Sequence, residues 1–161
     1  MFGLFKKKEN EASEIFATQN GTAIALTDVP DEVFSEKMLG DGIAIIPTSN
    51  EVVSPVNGTI IDVTETLHAY CIATDDGLEI LIHIGVDTVE LKGEGFESFV
   101  KANDKVKVGD KLATVDLDFI KSKGYQTHTP IIITNMQDIK EMKTNLVQTQ
   151  QAKTVVMTYK K

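Results

Sequence analysis

The feature that most constrains this chain is its punctuation. From Gly21 onward, short runs rich in valine, isoleucine and threonine are cut every few residues by glycine, proline, aspartate or asparagine. Gly42–Pro47, Glu51–Pro55, Gly58–Val63, Ala69–Ala73, Glu79–Ile84, Lys111–Val115, Pro130–Thr134 and Lys153–Thr158 are such runs. β-Branched residues fit a pleated strand, and the turn residues stop each run before it reaches helical length. The pattern predicts an all-β fold, an antiparallel sandwich or barrel with a few short helical turns. Three stretches could supply those turns: 97–102, 117–124 with Gly124 placed to cap its end, and 136–146. Val53–Ile60 and Val106–Leu112 echo each other weakly, a turn composition of low specificity. Residues 1–20 lack a sustained period and read as a flexible leader, and 21–161 read as one domain.

Charge narrows the function. The net charge is −8, and all 16 cationic residues are lysine. Arginine dominates bidentate recognition of phosphates and bases, so its absence from an acidic chain argues against nucleic-acid binding. An acidic surface suits basic protein partners, and it also simply keeps a small domain in solution. The single cysteine, Cys71, can form no internal disulfide, which suits a reducing, cytoplasmic setting; it reads as a small buried hydrophobe in a strand. No apolar run is long enough to span a bilayer. The start, Met1 to Lys8, is apolar and then basic, the reverse of a signal peptide, and could rest only weakly on an anionic membrane.

The chemistry gathers at histidine. Of three histidines, His68 and His83 bracket one hairpin, whose turn signal is Asp76-Gly77. With those two residues as the loop, His83 faces Tyr70, and His68 projects from the same side as a diagonal neighbour. With a three-residue loop, the two histidines would lie on opposite faces unless a bulge or twist intervened. The two-residue register is the one we adopt. A neutral imidazole is a good nucleophile near neutral pH, and a second imidazole with a hydroxyl, His68 and Thr66, can support a bound phosphoryl group without clamping it. His83 lies inside the apolar run Ile80–Ile84, where a polar ring needs a partner or a cleft. His128 reads as a plain loop residue.

The stretch from Glu65 to Phe96 resembles the signature of the glucose-type enzyme IIA family of the bacterial phosphoenolpyruvate-dependent sugar phosphotransferase system, above all in Ile82-His-Ile-Gly-Val-Asp-Thr-Val89. Asp28–Phe34, Gly40–Ile45, Ser54–Thr59, Val106–Asp110 and 129–136 extend the similarity to roughly residues 20–160. The resemblance implies a small β-sandwich of the duplicated hybrid-motif type, whose glycine-turn hairpins resemble those of barrel–sandwich hybrid domains, with a shallow apolar depression. It implies phosphorylation of His83 at Nε2, with His68 as supporting histidine and Thr66 as the hydroxyl of the site. The protein would then be a phosphotransferase component, taking phosphate from the histidine phosphocarrier protein and passing it to a cysteine of an enzyme IIB domain. Membrane contact would come only through the sugar permease, and regulatory proteins would be further targets. Val33, Phe34, Met38, Leu39, Leu81 and Val89 match apolar docking positions, and Asp31 and Asp87 match acidic ones. Ordinary burial is the plainer account of Leu81 and Val89, and a helix or turn cap that of Asp31. Leu67 and Thr64 depart from relatives and are expected to tune partner choice.

No cofactor is required on this reading, although His68 and His83 are half of a tetrahedral zinc site that a partner carboxylate could complete. The alternative is a zinc metallopeptidase of lysostaphin-like architecture. His83 and Asp87 fit the first half of its His-x-x-x-Asp plus His-x-His pattern, and the second half is missing. A biotinyl- or lipoyl-type carrier would need a lysine at the hairpin tip, where Asp75-Asp76-Gly77 stands.

Overall fold

The computed structural model describes residues 12–161. The Met1–Lys8 segment and its membrane reading lie outside them. The strands are β1 (Ser13–Phe16), β2 (Gly21–Ala25), β3 (Asp41–Pro47), β4 (Glu51–Val53), β5 (Gly58–Val63), β6 (Ala69–Thr74) and β7 (Glu79–His83). They continue as β8 (Phe96–Ser98), β9 (Lys105–Val106), β10 (Lys111–Val115), β11 (Thr129–Ile133), β12 (Glu141–Thr144), β13 (Gln148–Thr149) and β14 (Val155–Lys160). Two short helices, α1 (Glu32–Ser35) and α2 (Leu117–Ser122), interrupt them.

An eight-stranded antiparallel sheet, ordered β13-β2-β3-β11-β7-β6-β5-β9, packs with two three-stranded sheets, β1-β14-β12 and β4-β10-β8. The all-β expectation holds. Strand periodicity sorts the side chains. Ile80 and Ile82 of β7 point into the main core with Ile43 and Ile45 of β3 and Ile131 and Ile133 of β11, all fully buried. Burying each such side chain contributes about 2 kcal/mol. The alternate residues, Ala44, Leu81 and Ile132, face the other side of the sheet. There Leu26, Val29, Phe34 and Val86 cover them in a second, smaller core. That is why β11 reads as an unbroken apolar run: both its faces are buried. The two segments that echo each other in sequence meet, with Ser54 N–H donating to Asp110 O at 2.8 Å and Gly109 N–H to Ser54 O at 2.9 Å.

Three expectations of local structure need correction. The leader cannot run to residue 20, because β1 pairs with β14 along Ser13–Phe16; its partner strand lies at the far end of the chain, so no local signal marks it. Residues 97–102 are not helical: β8 pairs with β10, placing Phe96 opposite Val115. The stretch 136–146 opens with one 3-10 turn, Met136–Asp138, and then becomes β12 on the edge of β14. In each case long-range pairing overrides a local pattern. The remaining predicted helix, 117–124, is present as α2, its end closed by Tyr125 N–H to Ile120 O at 3.2 Å and Gly124 N–H to Lys121 O at 3.0 Å. Cys71 lies in β6 but is half-buried, not a core residue.

Candidate functional site

The site is built at the open end of the β6–β7 hairpin. At the closed end, Gly77 N–H donates to Thr74 O at 3.0 Å and Thr74 N–H to Leu78 O at 2.8 Å. The loop is therefore Asp75-Asp76-Gly77, and only Gly77 takes a positive φ, of 95°. This is a type I turn with a glycine bulge rather than the predicted two-residue turn, which needs positive φ at Asp76 as well. The register slips by one, and His83 pairs with Ala69, not Tyr70.

In a straight ladder this register would put the two histidines on opposite faces. It does not, because β6 begins only at Ala69. His68 lies in a tight turn closed by Thr64 N–H to Ala69 O at 3.1 Å and Leu67 N–H to Thr64 O at 2.9 Å. Leu67 is left-handed, with φ of 59°. His68 thus stands in the turn before the strand, where the alternation of a straight ladder does not apply, and its ring lies beside that of His83. The two ring centroids are 4.8 Å apart at an interplanar angle of 78°.

Each ring is oriented through Nδ1. His83 Nδ1 lies 2.8 Å from Gly85 O. A carbonyl only accepts, so Nδ1 carries the proton and the neutral ring keeps its lone pair at Nε2. His68 Nδ1 lies 2.7 Å from Thr66 Oγ1 and 3.4 Å from Thr64 Oγ1. The Phe34 ring sits against His83 with centroids 4.9 Å apart. Burial lowers the His83 pKa, opposed by the Gly85 carbonyl and by Asp31 and Asp87. Burial, and then the proximity of His83, pushes His68 down to about 4. Both rings are neutral at pH 7.

Acid stability follows with a definite sign. His68 binds its proton in the unfolded chain at the ordinary pKa of 6.5 but in the fold only near 4. Stability is full above the higher value and falls as pH drops between the two, by on the order of 3 kcal/mol for this ring. Urea midpoints measured at pH 7 and pH 5 should therefore differ, and His68→Gln should narrow the gap.

The remaining sequence-nominated residues divide. Val33, Met38, Leu39 and Val89 are exposed, whereas Phe34 is 4% exposed and supports His83 from beneath. Leu81 is half-buried against the second core. Asp31 caps α1 by accepting Val33 N–H at 2.8 Å, and its charge also acts on His83. Asp87 precedes the 3-10 turn Thr88–Leu91 with no capping bond, leaving its carboxylate free of that duty. Asp31→Asn keeps a capping oxygen and loses the charge; Asp31→Ala loses both. Thermal melts should place only the alanine variant about 1 kcal/mol lower, while NMR titration should show the His83 pKa falling in both. Sequence reasoning missed Gly85 and read Thr64 only as a tuner of partner choice; folding brings a backbone carbonyl of the one and the hydroxyl of the other to the histidine rings.

With both Nδ1 atoms engaged, a metal would find the two Nε2 atoms. Among the described residues no group of three or more His, Cys, Asp or Glu side chains could hold one. The peptidase reading therefore lacks its ligand set, and a zinc ion at this pair would need donors from outside the chain.

The class that fold and site define is an antiparallel β-sandwich presenting two adjacent neutral imidazoles, one with its Nε2 lone pair left free by the Nδ1 contact. Residues 13–139 match the family described as phosphoenolpyruvate-dependent sugar phosphotransferase system, EIIA 1. A PTS system glucose-specific EIIA component from Buchnera aphidicola is 47% identical over 149 residues, covering 92% of each chain. A PTS system glucose-specific EIICBA component from Staphylococcus saprophyticus is 50% identical over 124 residues, which are 77% of this chain but 18% of that one. The solved structure of glucose permease IIA from Mycoplasma capricolum superposes with a TM-score of 0.84 at 43% identity, covering 92% of this chain and 96% of that one. The chain belongs to this EIIA family and is a phosphotransferase component of a sugar phosphotransferase system. No helix among the described residues is long and apolar enough to cross a membrane.

Proposed function

We propose that His83 carries the phosphoryl group on Nε2, accepting it from the histidine phosphocarrier protein and passing it to a cysteine of an enzyme IIB domain. In the first step the Nε2 lone pair attacks phosphorus as the P–N bond of the donor breaks, its electron pair returning to the donor ring. In the second a cysteine thiolate attacks, the P–Nε2 bond breaks, and the pair returns to His83. Neither step needs a proton moved on His83, because Nδ1–H stays on the Gly85 carbonyl. His68, accepting the Thr66 hydroxyl proton at Nδ1, holds its own proton at Nε2 and donates it as a hydrogen bond to the phosphoryl oxygens. A neutral donor of moderate strength steadies the group without trapping it, as an arginine fork would.

The observation that carries this reading is the His83 Nδ1 to Gly85 O contact of 2.8 Å, which leaves Nε2 as the free nucleophile. Val33, Met38, Leu39 and Val89 form the apolar part of the docking face, with Asp31 and Asp87 as an acidic rim for basic partners. The relative in which the matching segment is 18% of a longer EIICBA component supports a permease-linked acceptor. The protein acts in the cytoplasm, meets the membrane only through that permease, and needs no cofactor for transfer; regulatory proteins would read the same face.

The test is labelling with phosphoenolpyruvate, enzyme I and the phosphocarrier protein. The label should be acid-labile and base-stable, and phosphorus NMR should place it on Nε2. Acid-stable label, or attachment at Nδ1, would refute the assignment.

A further inference from the structure

The turn that carries His68 is closed by a residue to which the transfer steps above give no part. Thr64 follows β5, and its backbone pairs with Ala69 and Leu67 as described. Its hydroxyl oxygen also accepts the Ala69 N–H at 3.1 Å. The hydroxyl proton then has two acceptors in range: His68 Nδ1 at 3.4 Å and Ala69 O at 3.5 Å. Ala69 is buried, so without that oxygen its amide would lose its acceptor out of reach of water. The same turn holds Leu67 left-handed, a conformation that a leucine keeps only when its surroundings over-determine it. His68 belongs to this turn, so what closes the turn bears directly on where its ring sits.

We propose that Thr64 is a positioning residue for phosphoryl transfer: its hydroxyl ties the Ala69 amide to the Nδ1 side of His68, fixing that ring with Nε2 toward His83. The proposal rests on the reading of His68 as a hydrogen-bond donor to the phosphoryl group. Thr66 makes the shorter contact with Nδ1, at 2.7 Å, but it sits within the turn and moves with it. Thr64 anchors the turn from the strand.

The experiment uses the full chain with Thr64→Val, which keeps the shape and removes the hydroxyl, and Thr64→Ser, which keeps the hydroxyl. Three quantities are read: onward transfer from the phosphorylated protein to an enzyme IIB domain, the imidazole nitrogen shifts of His68, and the melting temperature. Thr64→Val should slow onward transfer about tenfold and move the His68 shifts toward mixed tautomers, while Thr64→Ser stays within about twofold of wild type in transfer. Wild-type transfer and unchanged His68 shifts in Thr64→Val would overturn the proposal, and so would equal slowing in Thr64→Ser. If Thr64→Val does not fold, Thr64→Ala is judged against Thr64→Ser by the same criteria. His83→Ala run in parallel separates the two readings: label on that variant means that the assignment of His83 has failed, whatever the Thr64 variants do.

Discussion

His83→Ala should take up no phosphate at all, while His68→Ala should still be labelled and then pass the group on about a hundredfold more slowly. The asymmetry follows from what each ring supplies. His83 offers the lone pair that the Gly85 contact leaves aimed outward, and its neighbours do not replace it: Thr64 and Thr66 are alcohols directed at His68, and the lone pair of His68 is taken at Nδ1 by the Thr66 hydroxyl. Removing the nucleophile removes the covalent intermediate, so the loss is total rather than graded. His68 enters only as a donor to a charge that already exists, a contribution of about 10²–10³ in rate when one such donor is deleted. Neither change should unfold the protein. His83 is half-buried at the edge of the second core, and losing its contact with Phe34 should shift the melting temperature by no more than about 5 °C. Label retained by His83→Ala, or unimpaired onward transfer by His68→Ala, would contradict the division of labour.

Much of this was legible beforehand, and the parts that were not have physical reasons. Strands such as Ile80–Ile84 and Ile131–Ile133 announce themselves because β-branched residues recur between turn residues. The short ones do not: β13 has two residues, and β12 shows no alternation because nearly all of it faces solvent. The hairpin is the instructive case. Asp75-Asp76-Gly77 serves a two-residue or a three-residue loop with equal chemical ease, and the choice made from sequence was off by one. The pairing of the histidines was nonetheless right, for a different reason, since His68 stands in the turn before β6 rather than in the ladder. Composition could not reveal that turn, because Leu67 is left-handed within it and leucine is disfavoured in that conformation. Asp31 shows a complementary limit. The cap and the acidic rim looked like rival accounts, yet the carboxylate can cap α1 and still act on His83.

Gly85→Ala should damage stability and transfer together, and this coupling sets it apart from other glycine substitutions. Gly85 holds φ at 83°, and an added Cβ would lie 2.4 Å from Thr88 Cγ2. The strain and the clash together should cost about 2–4 kcal/mol. The backbone can relieve them only by rotating, and the carbonyl that would rotate is the one holding the His83 Nδ1 proton. Once that acceptor turns away, the ring can adopt the other tautomer, with its proton on Nε2 and no lone pair for phosphorus. Labelling of the folded fraction should therefore drop about tenfold or more. Gly58→Ala supplies the contrast. Its Cβ would lie 2.1 Å from Ala73 O, so it too forces strands apart, but it pairs with Thr74 at the end of the hairpin remote from the histidines. Melting curves should fall for both variants, whereas phosphate taken up per folded molecule should fall only for Gly85→Ala. Equal labelling of the two folded proteins would mean that the Gly85 carbonyl does not set the His83 tautomer, and the choice of Nε2 as nucleophile would need another cause.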